Sequence, residues 1–337
     1  MSPPTTGVRD LPPETLAYIA GFLLRSQDKA RLAMAAPFLR AASNAHGDAW
    51  WGASGEHQTQ DVHGGQMASM AAWMRSRGFK KVPSVCCLSL SIDDTPFDVL
   101  ADFVSLAAEF WPEVHCMRVE DYDNRFCRLD PFAKVRFLEL SVPPRLATCA
   151  LCPAMLPPAL ESLEICGDAL PEPEQTVCDL RLPPSLTLLG LRHVKLAAPS
   201  LPSLAGLDVL KLSGARIEGE VDDLSWALWQ GMHLEELELG YQENSDSEED
   251  DPMHERVTKA LGFPRCSKLA VCVEGGSGPF LFPDGILAML GSLDRLTLLF
   301  EYSQMYLEHD VALTRDGTVM LDRKAYPNLE FRMQRFD

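Results

Sequence analysis

Two consecutive stretches decide how the rest of the chain reads: Leu182-Pro-Pro-Ser-Leu186-Thr-Leu-Leu189-Gly-Leu191-Arg-His-Val194-Lys-Leu196, then Leu207-Asp-Val-Leu210-Lys-Leu212-Ser-Gly-Ala215-Arg-Ile217. In each, an apolar residue is followed three positions later by a pair of apolar residues spaced by two, and a spacing of two marks a strand with one buried face. Working outward, the same triplet recurs at Val85/Leu88/Leu90, Val114/Met117/Val119, Val135/Leu138/Leu140, Leu160/Leu163/Ile165, Leu234/Leu237/Leu239, Cys266/Leu269/Val271, Leu293/Leu296/Leu298 and Tyr326/Leu329/Phe331. The central residues lie 29, 21, 25, 26, 21, 27, 32, 27 and 33 positions apart. One such unit is too small to bury its own leucines, so each must stack on the next.

This pattern at about 20–29 residues resembles the leucine-rich repeat. The resemblance implies an α/β fold, an irregular horseshoe-shaped solenoid with parallel strands. The family's polar position after the strand is filled here by Val194, Ala215, Asp168 or Gln242, so the strand-to-loop turns are expected to satisfy their backbone groups another way. The openings Leu156-Pro157-Pro158-Ala159-Leu160 and Leu182-Pro183-Pro184-Ser185-Leu186 look like those of repeats whose far side is extended. Elsewhere the far side reads as helical: Pro96 to Phe110 sets Phe97, Leu100, Phe103, Val104 and Ala107 on one side behind Asp93, Asp94 and Thr95 as N-cap candidates. Shorter helices are expected at Asp222–Gln230, Pro252–Leu261 and Pro283–Leu290. Alternation from Val311 to Leu321 around Asp316-Gly317 predicts a hairpin in a C-terminal cap.

Residues 9–52 depart from the repeat. Leu16, Ile19, Phe22 and Leu23 fall at helical intervals after Leu11-Pro12-Pro13-Glu14, and a second apolar helix covers Ala30 to Ala42, kinked at Pro37. The run Leu11-Pro12-x-Glu14-x-Leu16-x-x-Ile19-x-x-Phe22-Leu23, then Asp28-x-x-Arg31-Leu32, then Phe38-Leu39-Arg40 and a Trp, resembles the F-box. That resemblance implies docking on the Skp-type adaptor of a cullin–RING ubiquitin ligase. Leu11, Pro12, Leu16, Ile19, Phe22 and Leu23 would sit at the adaptor interface, with Leu32 and Phe38 shared between core and interface. A unit of about 40 residues is too small for an ordinary core of its own, so the alternative is a helical cap on the first repeat. The expected organisation is an F-box-like module at 1–52, a linker or helical connection at 53–84, and repeats at 85–337 with an acidic insertion at 242–251.

Of 337 residues, 46% are hydrophobic and the net charge is −18, which suits a folded core and argues against nucleic acid or anionic lipid as partners. The longest apolar run, Leu146 to Leu160, is short for a span and carries Pro153, Pro157 and Pro158. With no leader-like N-terminus, an intracellular location in cytoplasm or nucleus is expected, the host cytoplasm if the chain is viral. Most of the ten cysteines, Cys86, Cys116, Cys166 and Cys272 among them, read as small buried hydrophobes, and Cys149-Ala-Leu-Cys152 lacks a second pair for zinc. Gly275-Gly276-Ser277-Gly278 has no phosphate-loop lysine, and His57 and His63 lie in linker-like sequence without further ligands. No catalytic residue, metal or cofactor is expected.

Six acids between 242 and 251, Glu243, Asp246, Glu248, Glu249, Asp250 and Asp251, should bulge from a repeat as a solvated loop. Ser245 and Ser247 each have an acid three residues on and resemble acid-directed kinase sites. Positions flanking the second leucine point away from the core: Arg118 and Glu120, Phe137 and Glu139, Ser162 and Glu164, Leu188, Gly190 and Arg192, Val209 and Lys211, Glu236 and Glu238, Arg295 and Thr297. The expectation is a non-enzymatic adaptor: this face holds an unidentified target protein, and the F-box brings it to the ligase. The alternative is a repeat scaffold with no ubiquitin role.

Overall fold

A computed structural model describes residues 11–13, 15, 16, 39, 59–75, 85–92, 95–122, 128–143, 146–168, 175–242, 264–274, 292–300, 312–313, 319–320, 328 and 330–335. The fold is mixed α/β with many parallel strands and few helices, and it divides into two compact units. The first comprises Met1–Pro143 with Leu151–Ser162, the second Pro144–Ala150 with Leu163–Asp337.

In the first unit β1 (Thr59–His63), β2 (Cys87–Ser91), β3 (Cys116–Glu120) and β4 (Phe137–Ser141) form a parallel ladder in which Leu88, Met117 and Leu138 are in register. Each is buried, as are the leading Val85, Val114 and Val135 and the trailing Leu90, Val119 and Leu140. One carbonyl at the start of each strand takes two donors from the next: Cys86 O accepts from His115 N and Cys116 N at 3.0 and 3.2 Å, and His115 O from Arg136 N and Phe137 N at 2.9 and 3.1 Å. The backbone thus repeats at the interval of the leucines.

Helices cover the buried face of that ladder. In α1 (Gly64–Arg75), Met67, Met70, Trp73 and Met74 are buried, and in α2 (Phe97–Phe110), Leu100, Phe103, Val104, Ala107 and Phe110. Edge-to-face contacts join them: Trp73 to Phe110 at 5.4 Å, Phe110 to Trp111 at 5.5 Å and Phe103 to Trp111 at 6.4 Å between centroids. Phe97, assigned to the apolar side, is 57% exposed because it starts the helix, where no preceding turn covers it. The N-cap is Pro96, with no side-chain cap, and Thr95 N donates to Ile92 O instead; Asp93 and Asp94 lie outside the described residues. The segment read as a connection contains β1 and α1. Its strand signal was weak because only Gln60 and Val62 point inward, and glutamine is a poor marker of a buried row.

In the second unit β6 (Ser162–Cys166), β8 (Leu188–Arg192), β10 (Val209–Ser213), β12 (His233–Gln242), β13 (Arg265–Glu274), β14 (Arg295–Phe300) and β17 (Glu330–Arg335) are neighbours in that order. Leu189, Leu210, Leu237, Leu269 and Leu296 share one register. The last strand differs from expectation. Phe331, not Leu329, stands beside Leu296; a slip of two keeps the same face inward, so periodicity alone could not choose between them.

Behind this ladder the chain is mostly extended. A second sheet of short strands runs β11 (Arg216–Glu218), β9 (Lys195–Ala197), β7 (Val177–Leu180), β5 (Thr148–Leu151), as the Leu-Pro openings suggested. A 3-10 turn at Ala198–Leu204 follows β9, where buried Ser200 Oγ accepts from Leu180 N at 2.7 Å. Helix α3 (Asp223–Gly231) is capped by Asp222, whose Oδ1 accepts from Ser225 N at 2.6 Å. The hairpin is present as β15 (Ala312–Leu313) antiparallel to β16 (Val319–Met320). The expected helices at 252–261 and 283–290 and residues 243–251 of the acidic insertion lie outside the described residues; Gln242, read as the start of that insertion, ends β12.

The missing polar ladder is replaced by backbone. Asp121, His193 and Gly214, each immediately after a strand, take φ of 55, 52 and 58°. In that left-handed conformation the chain turns while its amides still reach the neighbouring strand: Tyr122 N donates to Ser141 O, and His193 N to Ser213 O, both at 2.8 Å. Val194 and Ala215, where a polar ladder would stand, are buried instead.

Candidate functional site

Successive strand residues face opposite sides, so burying the leucines turns the flanking residues out, and register lines them up in rows. In the first unit one row reads Thr59, Cys87, Cys116, Phe137 and the next Asp61, Ser89, Arg118, Glu139. Phe137 is 49% exposed, a large apolar side chain with its edge in water. Arg118 Nε lies 3.5 Å from Glu139 Oε1 and 3.6 Å from Glu120 Oε1. The Cys87 thiol is pushed up to about 12, by burial first and then by Cys116 and Cys86 beside it. It is therefore held protonated and is a poor nucleophile.

In the second unit a row runs Leu188, Val209, Glu236, Lys268, Arg295, Glu330, and the next Gly190, Lys211, Glu238, Ala270, Thr297. Opposite charges meet across strands. Lys211 Nζ is 3.3 Å from Glu238 Oε2, Arg295 Nε donates to Glu330 Oε2 at 2.8 Å, and Lys268 Nζ to Glu235 Oε1 at 2.6 Å. The lysine holds the Glu235 carboxyl below its usual range. Solvent screens exposed pairs of this kind, so they stabilise little; their larger consequence is that opposite charges cancel along the face.

A shallow hollow of about 70 Å³ opens in this face, lined by Glu164, Gly190, Arg192, Lys211, Ser213 and Glu238 among others. Glycines leave its floor open: a Cβ on Gly190 would stand 3.0 Å from Glu164 Cγ, and one on Gly240 only 2.5 Å from Ser213 Oγ.

The expected face residues Arg118, Phe137, Glu139, Glu164, Arg192, Lys211, Glu236, Glu238 and Arg295 are each exposed or half-buried on the side opposite the leucines. Arg118 meets Glu139, and Glu164, Arg192, Lys211 and Glu238 share the hollow. The sequence reading missed Cys87, Lys268 and Glu330, although each stands one position before an aligned apolar residue, Leu88, Leu269 and Phe331. Among the cysteines, Cys86, Cys116 and Cys166 are half-buried rather than core. Cys116 and Cys166 fall on the outward alternation beside Met117 and Ile165. The free thiols of Cys149 and Cys178 are hydrogen-bonded, and that contact with burial pushes the Cys178 thiol up.

At the N-terminus Pro12 is exposed, Leu11 half-buried and Leu16 buried at 5% exposure. Ile19, Phe22, Leu23, Leu32 and Phe38 lie outside the described residues, as do Ser245 and Ser247. Among the described residues, no three His, Cys, Asp or Glu side chains gather as a metal would need, and no helix is long and apolar enough to cross a membrane. No protein-family model and no curated protein matches the chain, so the role of the face rests on its own residues.

Proposed function

We propose that this chain is a target-recognition subunit: leucine-rich repeats forming a solenoid hold a target protein on their outward strand face, and an F-box at the N-terminus links it to the Skp-type adaptor of a cullin–RING ubiquitin ligase. The observation that carries the receptor half is the in-register ladder. In each unit parallel strands, Leu88 to Leu138 in one and Leu189 to Leu296 in the other, bury their apolar residues on one side and present rows of outward side chains on the other, which suits a protein surface. The adaptor half is supported by the ordered run from Leu11 to Phe38. The chain supplies proximity and orientation, and the assembled ligase supplies catalysis.

The test is capture of a purified Skp-type adaptor by the full chain, compared with Leu11→Ala/Pro12→Ala. Binding that the double variant loses supports the reading; an adaptor that ignores the wild-type chain overturns the ligase half. Burial of Leu16 within its own chain favours a second reading, in which the N-terminal segment caps this protein and the face works as a scaffold without ubiquitin. That reading expects removal of residues 1–52 to lower the melting temperature with no change in any ubiquitination.

A further inference from the structure

We propose that the hollow over β8, β10 and β12 is a specificity pocket for a carboxamide, the side chain of an asparagine or glutamine on the bound protein. The inference rests on the reading of this face as the target-binding surface and names the group it selects.

Four charged side chains line the hollow, two of each sign. Lys211 and Glu238 are already paired at 3.3 Å, and Glu238 Oε1 also accepts from the Cys272 thiol at 3.5 Å. The other two, Glu164 and Arg192, have no ion-pair or hydrogen-bond partner among the described residues. Glu164 leans over Gly190, and Arg192 stands in register with Ser213. One unsatisfied acceptor and one unsatisfied donor therefore flank a floor from which two glycines have removed the side chains.

Elimination follows from charge. A carboxylate entering the hollow meets Glu164 and Glu238, and an ammonium or guanidinium meets Arg192 and Lys211, so either full charge is opposed as strongly as it is attracted. An apolar group would strip water from Glu164 and Arg192 and return nothing. A neutral amide offers its oxygen to the Arg192 guanidinium and its NH₂ to the Glu164 carboxylate, both as charge-assisted hydrogen bonds. The hollow, about 70 Å³, has room for a terminal amide. A backbone amide has the same chemistry, but it is present in every peptide and would select no residue.

The test is selection of random twelve-residue peptides displayed on phage against the full-length chain, with the winners measured as labelled peptides by fluorescence polarisation. The expected result is Gln or Asn at one fixed position, with at least tenfold weaker binding when that residue becomes Glu, Lys or Leu. Arg192→Ala and Glu164→Ala should each weaken the Gln peptide about five- to twentyfold. Glu164→Lys, which makes the hollow cationic, should prefer the Glu peptide. Neither Glu164 nor Arg192 is buried, and an unchanged melting curve checks the fold. Winners without an amide preference, or binding indifferent to Glu164 and Arg192, would overturn the pocket and leave the face as a target surface. A selection that enriches no peptide overturns both.

Discussion

The two units solve one problem with different materials. Both lay parallel strands side by side and must cover the leucines of the inner face. The first covers them with helices and aromatic rings: α2 is a 14-residue helix, and Trp73, Phe110, Trp111 and Phe103 meet edge to face. Where β8, β9, β10 and β11 succeed one another, the second unit covers them with three-residue strands and a 3-10 turn. Interval length goes with the choice of covering. The span from Leu88 to Met117 is 29 residues and that from Leu189 to Leu210 is 21, and at about 1.5 Å per residue a helix spends many residues on little distance, while a strand advances about 3.3 Å. Short repeats must return extended.

The contrast is tested most severely by truncating one core residue in each unit. Phe110→Ala removes a ring that contacts two others and is expected to cost about 3–5 kcal/mol, whereas Leu189→Ala, in the leucine ladder, should cost about 2–5. Hydrogen exchange locates the damage. Phe110→Ala should accelerate exchange at β2 and β3 first, and Leu189→Ala at β8 and β10. Acceleration spread evenly over the whole chain in both variants would show that the units do not open separately.

The turns after the strands give a smaller effect. Gly214 has φ of 58°, and a Cβ there would lie 2.6 Å from His193 Nδ1; Gly214→Ala should therefore cost about 1–2 kcal/mol for the left-handed conformation alone. At the matching place in the first unit stands Asp121, a residue that tolerates that conformation. Asp121→Gly, exchanging strain for backbone freedom, should change stability by only a few tenths of a kcal/mol. Denaturant midpoints of the two variants measure the difference; a harmless Gly214→Ala would mean the turn is not held by its neighbours.

Strand positions were legible from the leucines because one residue in two carries the signal: eight of the ten central residues align with their neighbours within their unit, and Leu163 is buried in β6. The tenth slipped because Leu329 and Phe331 are both large, apolar and on the same alternation, and only pairing with Leu296 separates them. β1 was hidden because its inward residues are Gln60 and Val62, and a buried glutamine has no hydropathic mark. The outward face could be located residue by residue, since it is the complement of the core. Its pairings could not be, because whether Lys268 reaches Glu235 or Glu236 depends on side-chain paths rather than offset. The hollow was likewise invisible: Gly190 and Gly240 belong to different repeats, and only strand order brings them to one floor.

The smallest expected effect distinguishes the helices by how they begin. α2 starts at Pro96 with no side-chain cap, while α3 starts at Asp222, whose carboxylate accepts the Ser225 amide and is held below its usual value of 3.8 chiefly by that bond. A carboxyl lowered in the folded state adds stability that is fully present above its unfolded value and is lost as pH falls through the folded one. The contribution of Asp222 should therefore be constant at neutral pH and fade below about pH 4. Asp222→Asn keeps a capping oxygen without the titration, so its melting temperature should lie slightly below wild type at pH 7, where the wild-type carboxylate also meets the positive end of the helix, and approach it as pH falls through the lowered value of Asp222. Asp222→Ala should sit below Asn throughout. If wild type and Asn respond identically to acid, the cap of α3 is electrostatically silent, and this difference between the two units' helices disappears.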